Sequence, residues 1–160
     1  GGSASYQNPH RAGLVRVTVS SLSSQHFLEA DFLEPSAGQP GQPSTSVVAS
    51  TAAGGDSSWL SVDFGRRRLF RATGYWVRAA SGGRMDGWVL EGMDPSTQRW
   101  ILLDGSSLQR RSVSSPSGLA MFPTQISAQS AKCRYLRFRS TSGSSLNIGS
   151  FDFYGSLFIV

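Results

Sequence analysis

A single cysteine, Cys133, stands among 160 residues, so no disulfide can form within the chain. No Asn-X-Ser/Thr sequon occurs, because Asn8 precedes Pro9 and Asn147 is followed by Ile148 and Gly149. Both absences point to a reducing, intracellular (cytoplasmic) setting. No run approaches the ~18 consecutive apolar residues of a spanning helix, so no membrane span is expected. Residues Gly1 to Ser5 carry neither the basic nor the apolar region of a signal peptide. They read as an expression scar at the start of one domain, residues 1–160, excised from a larger protein.

Catalytic reagents are equally scarce. The only histidines are His10 and His26, and no Gly-x-Ser-x-Gly elbow or His-Glu-x-x-His motif occurs. One cysteine cannot build a thiolate metal site. Glu29, Asp31 and Glu34 lack the spacing of a calcium loop. Asp63 and Asp152 are the one carboxylate pair to weigh for glycoside hydrolysis, yet both sit beside strand aromatics, which assigns them structural roles. The expectation is a protein that is not an enzyme, with no catalytic residue, no metal and no cofactor.

Charged residues make up 16% of the chain, and the net charge is +5. Seven basic and five acidic residues fall in positions 1–80, eight and five in 81–160. Scattered charge focuses no field, so no nucleic-acid partner is expected. The Arg66-Arg67-Arg68 run reads as a solvated turn, with an acidic protein or lipid headgroup as its alternative contact.

What is abundant points to β structure. Aromatics reach 11% and apolar residues 39%, alongside 18 glycines and 7 prolines. Alternating or β-branched runs predict strands at Leu14–Val19, 47–50, 59–64, 73–80, 88–93, 100–103, 119–126, 133–139 and 148–154. Tyr75, Val77 and Ala79 share one face, Trp76 and Arg78 the other. Leu136 and Phe138 point inward, Arg137 and Arg139 outward. Cys133 reads as a small buried hydrophobe. Trp59, Trp76, Trp88 and Trp100 are expected in the core, with Trp76 the best exception. Residues 157–160 are expected to pack against the body of the domain. Eight or nine antiparallel strands and no helix give an all-β class, a jelly-roll β-sandwich.

Several blocks resemble the discoidin family, the coagulation factor 5/8 C-type domains. Trp59-Leu60-Ser61-Val62-Asp63-Phe64-Gly65 and Thr73-Gly74-Tyr75-Trp76 are similar to successive family strands. Trp88 to Asp94 followed by Trp100 resembles the family's hairpin, and Arg134-Tyr135-Leu136-Arg137-Phe138 its Arg-Tyr strand. Ser150-Phe151-Asp152-Phe153-Tyr154-Gly155 resembles the closing strand, with Asp152 where Glu is more usual. Tyr6-Gln7-Asn8-Pro9-His10 is similar to an intracellular branch found in ubiquitin ligases and BTB-type adaptors. Secreted members tie their termini with a disulfide, which this chain cannot do.

The resemblance implies a galactose-binding-like fold whose ligands meet loops at one end of the sandwich. By position these are Ser23–Ala30, Ser50–Ser58 and Ser81–Asp86, with Gln25, His26, Phe27, Ser50, Thr51, Arg84 and Met85 as candidate ligand-binding residues. The function this implies is a non-catalytic module recognising a protein or peptide within a larger intracellular protein, of the ubiquitin-ligase type. The alternative is a lectin-like module that takes a glycan or an acidic lipid headgroup.

Overall fold

The structure is a computed structural model that describes residues 12–20, 58–79, 84–105, 112–114, 119–125, 130–141 and 146–160. Period-two alternation of apolar and polar residues governs these segments, and each folds into strands with one face turned inward. In chain order they are β1 Arg16–Val19, β2 Trp59–Asp63, β3 Arg68–Ala79, β4 Arg84–Asp86 and β5 Trp88–Met93. β6 Trp100–Asp104, β7 Ser112–Ser114, β8 Leu119–Pro123, β9 Tyr135–Ser140 and β10 Ile148–Ile159 complete the set. Every pairing is antiparallel. One sheet runs β1-β2-β9-β5-β6, a second β10-β3-β8, and β4 pairs with β7 in a small third.

The two larger sheets face each other across an aromatic core. Leu60 and Val62 of β2, Leu90 of β5 and Leu136 and Phe138 of β9 meet Tyr75 and Val77 of β3 and Phe151 of β10. Phe138 sits at the centre. Its ring lies 5.4 Å from Tyr75, 5.4 Å from Phe151 and 5.6 Å from Phe153. Trp88 is fully buried and donates its indole N–H to the Tyr75 hydroxyl at 3.1 Å. That hydroxyl donates in turn to Asp104 at 2.8 Å, so the indole and phenol polar groups are satisfied deep in the core.

The sheets are also joined through backbone. Phe70 of β3 and Cys133, just before β9, exchange N–H···O bonds of 2.8 and 2.9 Å. Cys133 is fully buried, as its sequence context implied, and burial, with the Asp94 charge, pushes its thiol up to about 11. Gly92 of β5 makes room for it, since a Cβ there would collide with the Cys133 Sγ.

Some expectations change. The described residues hold ten strands where about eight or nine were expected in all, because Arg84–Asp86 and Ser112–Ser114 pair as β4 and β7. Each is three residues long with one buried side chain, too short for alternation to announce. β3 begins at Arg68, inside the predicted turn. β10 runs through residues 157–159, so this stretch joins the body by pairing with β3, with Phe158 half-buried beneath Lys132, while Leu157 stays 53% exposed and Ile159 84%. Of the four tryptophans only Trp88 joins the core. Trp59 and Trp100 alternate with the inward Leu60 and Ile101, Trp76 with Tyr75 and Val77, which turns all three to the outer faces half-buried. The strand predicted at 47–50 lies outside the described residues.

Phe138→Ala removes the ring on which both sheets close. It should lower the unfolding free energy by about 3–5 kcal/mol, a large share of the roughly 5–15 kcal/mol of a typical domain. Urea unfolding followed by tryptophan fluorescence measures this; a loss below about 1 kcal/mol, the ordinary size for a point substitution, would contradict a central role.

Candidate functional site

Strand register decides which connections share an end of the sandwich. Val19 at the finish of β1 faces Leu60, Trp59 faces Arg139, and Ser140 faces Trp88 at the start of β5. On the opposing sheet Ala79, the last residue of β3, faces Ile148, the first of β10. Hydrogen bonds knit this end together. Ser20 N–H donates to Trp59 O at 2.9 Å, Ser140 N–H to Ser58 O at 2.8 Å, and Thr141 N–H to Gly87 O at 2.7 Å. Asn147 Nδ2 donates to Arg84 O at 2.8 Å. The residues that bound segments 21–57, 80–83 and 142–145 therefore gather at one end.

Arg84 is the most available cation there. Its side chain is 65% exposed, and its Nε pairs with Asp86 Oδ1 at 2.7 Å. The pairing orients the guanidinium, and Nη1 and Nη2 have no partner among the described residues. Burial pushes the Asp86 carboxyl up, but the Arg84 guanidinium and the Ser112 hydroxyl hold it below the usual carboxylate range. Trp59 lies half-buried on the outer face of its sheet at the same end, where Asn147 and Thr141 belong to the hydrogen-bonded network. A fixed guanidinium, an amide, a hydroxyl and an indole suit a polar, hydroxyl-rich ligand with an apolar face.

The sheet beneath is stiffened by charge. Glu91 of β5, 8% exposed, accepts from Arg137 Nε at 2.7 Å and from Arg139 Nη2 at 2.7 Å. The Arg137 guanidinium also lies 3.8 Å over the Trp100 ring. Burial pushes Glu91 up, and the bonds and charges of Arg139 and Arg137 outweigh it and hold the carboxyl low.

Among the predicted site residues, Arg84 is exposed at this end. Met85 is not a contact residue. Its side chain is fully buried on β4, because the alternation that turns Arg84 and Asp86 outward sends Met85 into the core. The predicted loop Ser81–Asp86 correspondingly ends in a strand. Gln25, His26, Phe27, Ser50 and Thr51 lie outside the described residues. Asp63 is structural: both oxygens accept from Arg134, at 3.0 and 2.9 Å, and Oδ1 also takes Gly65 N–H. Asp152, expected to be structural as well, is exposed on β10, where its Oδ1 accepts the neighbouring Phe153 amide. Sequence reasoning missed Trp59, Asp86 and Asn147 at the site. For Trp59 the signal was present, in its alternation with Leu60 and Val62. Among the described residues, no group of three His, Cys, Asp or Glu could hold a metal ion, and no helix is long and apolar enough to cross a membrane.

By sequence, no family model and no curated protein matches the chain. Solved structures do. An F5/8 type C domain from Bacteroides fragilis superposes with a TM-score of 0.60 at 12% identity, over 90% of this chain and 93% of that one. The fold is that of F5/8 type C domains. Within this galactose-binding-like fold, the module CBM32-6 of GH89 from Clostridium perfringens matches with a TM-score of 0.59 at 12% identity, over 94% of this chain and all of the other. A second module of that enzyme, CBM32-5, was solved in complex with GalNAc-β-1,3-galactose. It matches with a TM-score of 0.57 at 8% identity, covering 89% of this chain and 96% of its own.

The Glu91 clamp gives a pH-dependent expectation for the stability of the sandwich. Glu91→Gln leaves two guanidinium groups without their carboxylate, and should cost about 2–3 kcal/mol at neutral pH. The folded-state pKa is depressed from the ordinary value of 4.5. The contribution is therefore complete above that value and is lost as pH falls through the lower folded one. Denaturation curves of wild type and variant at pH 7 should differ, and those taken in acid should converge. A constant difference down to the lowest pH reached before unfolding would rule out an ionised Glu91.

Proposed function

We propose that the chain is a non-catalytic glycan-binding module that grips its ligand at the loop end. One observation carries the reading: the exposed Arg84 guanidinium, held by Asp86 through Nε and otherwise unpaired among the described residues, shares that end with Trp59 and Asn147. Guanidinium and amide donors can satisfy sugar hydroxyls, and an indole offers a sugar ring an apolar face. The same fold in CBM32-5, solved with GalNAc-β-1,3-galactose, supports a glycan over a peptide. The ubiquitin-ligase setting expected from the sequence finds no support among the similar structures.

A glycan array followed by calorimetry tests the proposal, with GalNAc-β-1,3-galactose among the ligands. Saturable binding is expected, and Arg84→Ala should weaken it by roughly 10- to 100-fold, the worth of one charge-assisted hydrogen bond. Met85→Leu, a volume-conserving change in the core, should leave the affinity unchanged. No saturable binding to any glycan, or full affinity in the Arg84 variant, would overturn the assignment.

A further inference from the structure

The outer face of the three-stranded sheet carries a surface that the loop end does not use. Strand register lines its residues up in two rows. Met121 of β8 faces Trp76 of β3, which in turn faces Asp152 of β10. In the next row Pro123 faces Gly74, which faces Tyr154. Side chains opposed in this way share a face, with Cβ atoms roughly 4.5–5.5 Å apart. Trp76 is half-buried, and its neighbours stand clear of the sheet: Met121 is 65% exposed and Tyr154 44%. Gly74 contributes no side chain, so a hollow of about 320 Å³ opens over it, bounded by Met121, Pro123 and Tyr154.

Asp152 differs from every other acid among the described residues. Asp63, Asp86 and Glu91 are held by arginines. Asp94 accepts from the Ser96 hydroxyl, and Asp104 from the Tyr75 hydroxyl. For Asp152, among the described residues, the one donor is the backbone amide of its neighbour Phe153. Arg78 also faces outward, one row away and opposite Ser150, but it does not compensate this charge. Burial pushes the Asp152 carboxyl up, and the Phe153 amide alone opposes the rise. An indole, a phenol, a thioether and an uncompensated carboxylate thus share one face of a chain whose net charge is +5.

We propose that this face binds a small quaternary ammonium ligand, its charge against Asp152 and its methyl groups on the Trp76 and Tyr154 rings. The carboxylate decides for a cation. A neutral polyol could donate to it, but would leave its charge uncompensated where burial has already weakened its hydration. The scarcity of acceptors decides for a quaternary nitrogen. A primary ammonium brings three donors to be satisfied, and the Thr73 hydroxyl beside the hollow is already engaged, donating to Tyr154 O at 3.3 Å. A trimethylammonium group carries no N–H and needs only apolar and π surface around it. The hollow sets the size, an ammonium head with a short tail. The inference is independent of the glycan reading, since it uses the sheet face and none of the loop-end residues.

Titration of the chain with choline, followed through its amide NMR signals at constant ionic strength, tests it. Dimethylbutanol, which carries a tert-butyl group in place of trimethylammonium, is the uncharged control. Choline should shift the amides around Trp76, Met121 and Asp152 saturably, and the alcohol should bind about tenfold more weakly. Asp152→Asn keeps an oxygen for the Phe153 amide and should bring choline down to the level of the alcohol. Tyr154→Leu should weaken choline as well, by removing one ring. Should either variant disturb the fold, the ratio of choline to alcohol on the unaltered chain carries the test. No saturable shift with choline would overturn the proposal, as would equal binding of the alcohol or full choline affinity in Asp152→Asn. Displacement of choline by GalNAc-β-1,3-galactose would put both ligands at the loop end and equally end it.

Discussion

The closure of two antiparallel sheets on a shared layer of aromatic rings is the constraint on which the rest depends. Phe138 belongs to the five-stranded sheet, yet three of its ring neighbours, Tyr75, Phe151 and Phe153, come from the three-stranded one. Once that layer is fixed, side-chain alternation leaves each strand no freedom over what it shows the solvent. Glu91, Arg137 and Arg139 must then lie on an outer face, where the one carboxylate pairs with both guanidinium groups. Arg84 must point out and Met85 in. The proposed site at the loop end is thus a by-product of core packing in the sheets that carry it.

The two ends of the sandwich have become chemically unlike for the same reason. At one end strands finish short and their neighbours are tied by single hydrogen bonds through Ser20, Ser58, Thr141 and Asn147. Backbone held this way presents donors and acceptors at fixed points, a suitable base for recognising hydroxyl groups. At the other end β3 and β10 outrun the sheet opposite, and their alternation continues past the core that would have covered it. Apolar side chains are left exposed there, with arginines from the adjoining turn around them.

Much of the fold was legible in the sequence. Leu136 and Phe138 inward against Arg137 and Arg139 outward, and Tyr75 and Val77 against Trp76, followed from period two alone. The burial of Cys133 and the structural role of Asp63 were legible too. What escaped depended on partners remote in sequence. β4 and β7 are each three residues long and exist because they pair with each other. Strand position and the family resemblance suggested a buried Trp59 and Trp100, although their own alternation pointed outward, and an arginine two strands away proved able to cover Trp100. At the site, Arg84 could be read from its loop, but its fixing by Asp86 and the approach of Asn147 required the fold.

The backbone bridge between Phe70 and Cys133 has a consequence for reactivity. The lone sulfhydryl is sealed where the two layers meet, and its proton is held too tightly for thiolate to form near neutrality. An alkylating dye added to the native chain therefore finds nothing to modify until the layers part. Its rate of incorporation is a clock for sandwich opening, supplied by the protein without any introduced label.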